Sequence, residues 1–99
     1  MSSGYRLTPS AQNDVDRITE FIAEDNVEAA LRVHVALEEA FRHLAEMPAI
    51  GHTRADLTER PVKFWSVYSY LVVYDPASSP LTVIAVLHGA RDVEDLLKS

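Results

Sequence analysis

The sequence predicts an α+β fold, in which a short N-terminal strand and a helical hairpin pack on an antiparallel β-meander that is followed by a short C-terminal helix. Apolar residues recur with a helical period through the first half of the chain. The second half instead holds runs of β-branched and aromatic residues that are bounded by turn-forming segments. With 99 residues, the chain is expected to form a single domain over residues 1–99.

The N-terminal elements begin with an extended segment, Tyr5 to Thr8, that stops at Pro9. Thr8 before Pro9 has the form of an N-cap followed by proline at the first helical position, so a first helix is predicted from Pro9 to about Asp25. An apolar stripe at positions i, i+4, i+7 and i+11, widened by Phe21, is expected to face the core. The stripe consists of Ala11, Val15, Ile18 and Ile22.

Asn26 is placed to cap a second helix, which is predicted from Val27 to about Glu46. Leu31 and Val35 lie one turn apart on its polar side, and two interpretations remain open for them: scattered exposed aliphatic residues, or a contact for a partner. The other side carries the residues that are expected to bury against the sheet. These are Ala30, Val33, Leu37, Ala40, Phe41 and Leu44.

Three runs rich in β-branched and aromatic residues predict the strands of the meander. A tight turn is expected near Tyr68-Ser69, and a longer loop at Asp75 to Pro80. The second and third runs do not alternate with polar residues, so both faces of these strands are expected to be covered, by helices or by a partner chain. The runs are Val62 to Val67, Tyr68 to Asp75 and Leu81 to His88.

The end of the last run combines a histidine with a turn. His88 lies in phase with Ile84 and Val86, which predicts a histidine packed at the end of the strand. Gly89 allows a sharp turn, and Asp92 to Leu97 is expected to form the short C-terminal helix. The apolar residues of that helix are Val93, Leu96 and Leu97.

Charge and composition exclude several classes of function. The formal net charge is −6, so binding of nucleic acid through bulk charge is not expected. The chain has no cysteine, and its histidines show no metal-ligand spacing, so neither a metal site nor a cofactor is predicted. No apolar run approaches the ~20 residues that span a bilayer, and no signal peptide is evident, which favours a cytoplasmic protein without a membrane partner.

Positive charge gathers between the second helix and the meander. Arg54, Arg60 and Lys63 lie in or beside the polar loop His52 to Pro61. The loop is interpreted either as an ordinary solvated connection or as a contact surface for an acidic or phosphate-bearing target. Trp65 would assist such a contact if it shares a strand face with Lys63.

Four short segments follow one another along the chain: Tyr5-Arg6-Leu7-Thr8-Pro9, Met47-Pro48-x-Ile50-Gly51, Phe64-x-x-Val67-x-x-Tyr70-x-x-x-Tyr74 and Val86-Leu87-His88-Gly89-Ala90-Arg91-Asp92. In their order and spacing they resemble the RelE/ParE superfamily of small toxins from bacterial toxin–antitoxin pairs. The chain is more closely similar to the ParE-like, plasmid-stabilisation branch. The resemblance extends from Tyr5 to about Leu97.

The resemblance implies the toxin of a type II pair, which inhibits DNA gyrase without being an enzyme and is held inactive by a cognate ParD-like antitoxin in a hetero-oligomer. Two alternatives remain open, because the superfamily is divided between different targets. One is a RelE-like, ribosome-dependent endoribonuclease that cleaves messenger RNA. The other is a binding module that has kept its antitoxin but lost its toxicity.

These hypotheses assign candidate residues to each role. The antitoxin is expected on Leu31, Val35, Trp65, Tyr70 and Tyr74, and the target on Arg54, Arg60, Lys63 and Arg91. A gyrase inhibitor needs no catalytic residue. A ribonuclease would need an acid or base and cations around the phosphate, for which His88 and Arg91 are the candidates.

Overall fold

The computed structural model describes residues 4–89 and contains two helices and a four-stranded sheet. The strands are β1 (Tyr5–Leu7), β2 (Lys63–Val67), β3 (Tyr70–Asp75) and β4 (Leu81–His88), and the helices are α1 (Pro9–Ala23) and α2 (Val27–Glu46). A single 3-10 turn, Pro48–Ile50, follows α2. The α+β class is confirmed, while the predicted C-terminal helix, Asp92 to Leu97, and Arg91 lie outside the described residues.

The strands are arranged in the order β1-β4-β3-β2. β2, β3 and β4 form the predicted antiparallel meander. β1 pairs with β4 in parallel, with Tyr5 opposite Leu81 and Leu7 opposite Val83, so the sheet as a whole is mixed. A parallel pair requires a long crossover between its strands, and the helical hairpin is part of that connection.

Both helices begin at the predicted caps. The Thr8 Oγ1 atom accepts a hydrogen bond of 3.0 Å from the Ala11 amide, with Pro9 at the first helical position. The Asn26 Oδ1 atom accepts one of 3.0 Å from the Ala29 amide. Each cap satisfies one of the amides that a helix leaves without a partner at its N-terminus.

The main core lies between the helices and one face of the sheet. It consists of Ala11, Val15, Leu37, Ala40, Phe41, Leu44, Val67, Val72, Tyr74, Leu81, Val83 and Val86. Both predicted helical stripes face this core, with Ile18 and Val33 partly buried against it. Phe21 was expected to widen the first stripe, which is wrong: its side chain is 70% exposed. It lies outside the arc of α1 that meets the sheet.

The opposite face of the sheet has a smaller core of its own. Leu57 and Val62, from the connection between α2 and β2, pack against Phe64 and Val73 of the strands. The strands were expected to be covered by helices or by a partner chain on both faces. On this face part of the cover comes from a loop, which the expectation did not include.

A β-bulge in the pairing of β3 with β4 changes which residues of β4 share a face. Val73 pairs with Ala85 and Tyr74 pairs with Val83, which leaves Ile84 as the extra residue. Ile84 therefore packs against the smaller core, whereas Val86 belongs to the main core. The predicted common phase of Ile84, Val86 and His88 is wrong for Ile84, because an extra residue reverses the alternation of side chains.

Side chains of the first helical segment complete the edge of β4 beyond the end of β1. The Thr8 hydroxyl donates a hydrogen bond of 2.9 Å to the Ile84 carbonyl. The Asp14 Oδ2 atom accepts one of 3.0 Å from the Val86 amide. These bonds satisfy backbone groups at and next to the bulge, which fixes α1 against β4.

Candidate functional site

An exposed apolar surface runs along α2. Val27, Leu31 and Val35 follow one another at intervals of four residues, and their side chains are 62%, 59% and 49% exposed. Residues with this spacing lie on one side of a helix. We call these three residues, together with the neighbouring Tyr68, the α2 surface. It contains Leu31 and Val35 as predicted.

Tyr68 extends this surface from the turn between β2 and β3. Its side chain is 69% exposed and lines a shallow depression with Leu31, Val35 and Ala36. Its backbone has a φ of 54°, a left-handed conformation that is uncommon for a bulky residue. Neither Val27 nor Tyr68 is among the residues predicted from the sequence to contact a partner. The four-residue spacing from Leu31 would have revealed Val27, whereas the position of Tyr68 depends on the turn.

Trp65 and Tyr70 are only partly accessible, because both pack against the main core. The indole of Trp65 is in ring contact with two imidazoles, with centroids 6.0 Å from His43 and 6.4 Å from His52. Trp65 and Lys63 share one strand face, as the side-chain alternation along β2 requires. Trp65 and Tyr70 are half-buried, so only part of each is accessible to a partner.

Tyr74 is not available to an antitoxin, so its assignment to the antitoxin contact is wrong. Its side chain is fully buried. The hydroxyl donates a hydrogen bond of 2.6 Å to the Pro48 carbonyl and accepts one of 3.0 Å from the Gly51 amide. Burial raises the pKa of the Tyr74 phenol, and the bond from Gly51 partly opposes this effect. Tyr74 attaches the end of α2 to the sheet.

The predicted target-binding cations differ in their surroundings. Arg54 forms a two-bond ion pair with Asp56, at 3.0 Å from Nε and 2.8 Å from Nη2. These hydrogen bonds lower the pKa of the Asp56 carboxyl and raise that of the Arg54 guanidinium. Arg60 is exposed at the edge of the smaller core, and Lys63 is half-buried at the start of β2.

Arg60 and Lys63 lie apart from His88. The imidazole of His88 is exposed and lies 5.3 Å from the ring of Tyr70, which packs on the main core. The next residue back, Leu87, lines a groove with Arg60 on the opposite face of the sheet. Lys63 pairs with Tyr74 of β3, whereas His88 pairs with Tyr70. These two β3 residues are four positions apart, or about 13 Å along the strand.

The motif residues that carry the family resemblance mostly join elements of the fold. Thr8 caps α1, and Pro48 and Gly51 hold the hydroxyl of Tyr74. The Gly89 amide donates a hydrogen bond of 2.8 Å to the Ser69 carbonyl. A Cβ atom at Gly89 would lie only 2.9 Å from that oxygen. These motif residues therefore specify the architecture.

Within residues 4–89, no group of three or more histidine or acidic side chains is close enough together to hold a metal ion. None of the helices in this range is sufficiently long and apolar to cross a membrane.

Comparisons with known proteins agree with this architecture. The chain is similar to a solved structure described as "Chromosomal ParDE TA system from P. aeruginosa", with a TM-score of 0.69 and 17% identity. The match covers 89% of this chain and 99% of that one, and at this identity it shows the fold. No curated protein sequence gives a significant match.

A family model gives the decisive result. The model described as "ParE toxin of type II toxin-antitoxin system, parDE" matches residues 5–93. This match spans most of the sequence and confirms the resemblance that the motifs suggested. The chain belongs to the ParE toxin family of type II toxin–antitoxin systems.

Proposed function

We propose that this toxin acts in the cytoplasm by inhibiting DNA gyrase, without catalysing a reaction itself, and that a cognate ParD-like antitoxin neutralises it. The observation that supports a non-enzymatic toxin is the separation of His88 from Arg60 and Lys63, two of the cations in the described part of the chain. Arg60 lies on the other face of the sheet. The residue of β3 that pairs with Lys63 is four positions from the one that pairs with His88.

Cleavage of RNA requires an acid or base and a cation at the same phosphate. The described rings of His88 and Tyr70 lie 5.3 Å apart, and Arg60 lines the opposite face of the sheet. Arg54 is paired with Asp56. The net charge of −6 also disfavours a long contact with ribosomal RNA. A toxin that binds a protein target has none of these requirements, because the target supplies the chemistry.

The α2 surface supports the antitoxin contact. Val27, Leu31 and Val35 present an apolar ridge of three consecutive helical turns to solvent, and such ridges are typical of sites that bind an amphipathic partner helix. Trp65 and Tyr70 would add the accessible edges of their rings. We therefore place the antitoxin on α2 and on the adjoining end of the sheet.

The target is tested with the purified toxin in two parallel assays, gyrase supercoiling and cleavage of messenger RNA on ribosomes. We expect inhibited supercoiling, no cleavage, and little effect of His88→Ala. Reversing the charge of Arg60 or Lys63 should reduce the inhibition more strongly. Cleavage that disappears in His88→Ala would instead establish a ribonuclease.

Toxicity is tested by producing the protein alone and together with its antitoxin in bacteria. We expect slower growth in the first case and recovery in the second. Normal growth with abundant folded protein would show a binding module that has lost its toxicity.

The antitoxin contact is tested by calorimetry on the double variant Leu31→Glu, Val35→Glu. Both side chains are exposed, so the fold should persist while the affinity falls by at least about tenfold, which corresponds to 1.4 kcal/mol. Phe21→Glu is the control, because it places a glutamate at an exposed apolar position on the other helix. Equal affinities for the double variant and the control would place the antitoxin elsewhere.

A further inference from the structure

The exposed face of α2 carries charges of alternating sign on both sides of one apolar residue. A spacing of four, three, four and three residues keeps such a set on one face of a helix. All of its side chains are exposed. We call this set the α2 charge ridge, and it consists of Glu28, Arg32, Val35, Glu39 and Arg42.

We propose that the α2 charge ridge is the interface of a homodimer, in which a second copy of the chain lies antiparallel across it with the twofold axis at Val35. A twofold axis reverses the direction of the partner's ridge. A residue that precedes Val35 therefore meets one that follows the partner's Val35 by a similar distance. Glu28 and Arg42 each lie seven positions from Val35, and Arg32 and Glu39 lie three and four positions from it.

This reversal brings opposite charges together at both distances. Glu28 would meet the partner's Arg42 about 10 Å from the axis, and Arg32 would meet the partner's Glu39 about 5 Å from it. Each pair occurs twice, because the two copies contribute the same surface. A parallel arrangement would instead place each charge opposite its own copy. The order of charges therefore favours a second copy in the antiparallel arrangement.

The charged side chains of the ridge are available for these pairs. None of the ion pairs among residues 4–89 involves them. Arg32 and Glu39 border the depression that Leu31, Val35 and Tyr68 line, so a second copy would cover apolar surface between the charged pairs. Exposed ion pairs contribute little affinity by themselves. The apolar centre would supply the affinity, and the charges would fix the orientation.

The dimer is expected to be weak and to form at high protein concentration, because each copy carries a net charge of −6 that opposes association. The ridge shares Val35 with the α2 surface, to which the proposed function assigns the antitoxin. A second copy and the antitoxin would then compete for α2. This consequence depends on the proposed function, whereas the dimer itself does not.

Sedimentation equilibrium of the purified full chain tests the dimer. We expect the average mass to rise with concentration from the 11.0 kDa of one chain toward twice that value. Arg32→Glu and Glu39→Arg should each raise the dissociation constant by about tenfold or more, because two attractive pairs become repulsive. The matched controls Arg17→Glu and Glu20→Arg make the same changes at exposed positions of α1 and should leave it unchanged.

The mixture of Arg32→Glu with Glu39→Arg tests the pairing itself. One variant has glutamate at both positions and the other has arginine at both, so each supplies the charge that the other lacks. We expect a heterodimer at concentrations at which both variants alone remain monomeric. Circular dichroism verifies that both are folded. An unaltered chain that stays monomeric at all concentrations, or a mixture without a heterodimer, would refute the proposal.

The position of the axis is tested by a cysteine at its centre, since the chain has none of its own. On oxidation, Val35→Cys should form a disulfide-linked dimer several-fold faster than Phe21→Cys, because the two copies of residue 35 face each other at the axis. Phe21 is a stringent control, as its side chain is 70% exposed against 49% for Val35. Equal rates for the two variants would overturn the proposed arrangement.

Discussion

The substitution Tyr74→Phe tests the attachment of α2 to the sheet. It removes only the hydroxyl, which bonds to Pro48 and to Gly51, and keeps the aromatic ring in the core. The Gly51 amide is buried and would lose its partner, at a cost of about 1–3 kcal/mol. The Pro48 carbonyl is part-buried and can regain a bond from water, so its loss adds less.

We therefore expect the free energy of unfolding to fall by about 2–3 kcal/mol, a large part of the 5–15 kcal/mol that is typical of a native protein. For a chain of this size, the melting temperature should fall by roughly 8–24 °C. Urea unfolding, followed by the fluorescence of the single tryptophan, Trp65, and by circular dichroism, measures the change.

Tyr70→Phe is the matched control for this experiment. Tyr70 lies on the same strand and faces the same core, but its hydroxyl forms no hydrogen bond with the other described residues. Its removal should change the free energy of unfolding by less than about 0.5 kcal/mol. If the two variants were equally stable, the Tyr74 hydroxyl would not be the attachment that the geometry indicates.

Three further outcomes are expected. Since burial raises the pKa of Tyr74, the folded state retains the phenolic proton when the unfolded chain loses it. Stability should therefore fall as the pH rises above 10.0, and Tyr74→Phe should remove this component of the pH dependence. Asp14→Ala should cost about 1–3 kcal/mol in urea unfolding, because the Val86 amide loses its acceptor, while the exposed Asp16→Ala should have little effect. Tyr68→Gly should leave stability unchanged or raise it by up to about 1 kcal/mol, because glycine tolerates the left-handed backbone. The same variant should bind the antitoxin more weakly in calorimetry. Unchanged affinity would exclude Tyr68 from the contact.

Features that depend on neighbouring residues were predicted well from the sequence. The N-caps Thr8 and Asn26, the bounds of α2 and the three strands of the meander follow from local spacing and backbone preference. The α1 end was predicted two residues late, at Asp25 rather than Ala23. The exposure of Leu31 and Val35 also follows from helical periodicity, because both lie opposite the apolar stripe.

The candidate site depended more strongly on contacts between distant residues. Tyr74 has the same aromatic character as Tyr70, so nothing in the sequence indicates that its hydroxyl meets Pro48, 26 positions earlier. The single extra residue at Ile84 decides which β4 side chains face the helices, and it is visible only in the pairing with β3.

The sequence by itself determined the elements, their amphipathic faces and the family, because each rests on spacing within a few residues or on the order of motifs along the chain. Only the tertiary structure decided the parallel pairing of β1 with β4, the burial of Tyr74 and the separation of His88 from Arg60. The physical reason is that strand register and sheet face are set by packing between segments far apart in the chain, and a shift of one residue transfers a side chain to the other face.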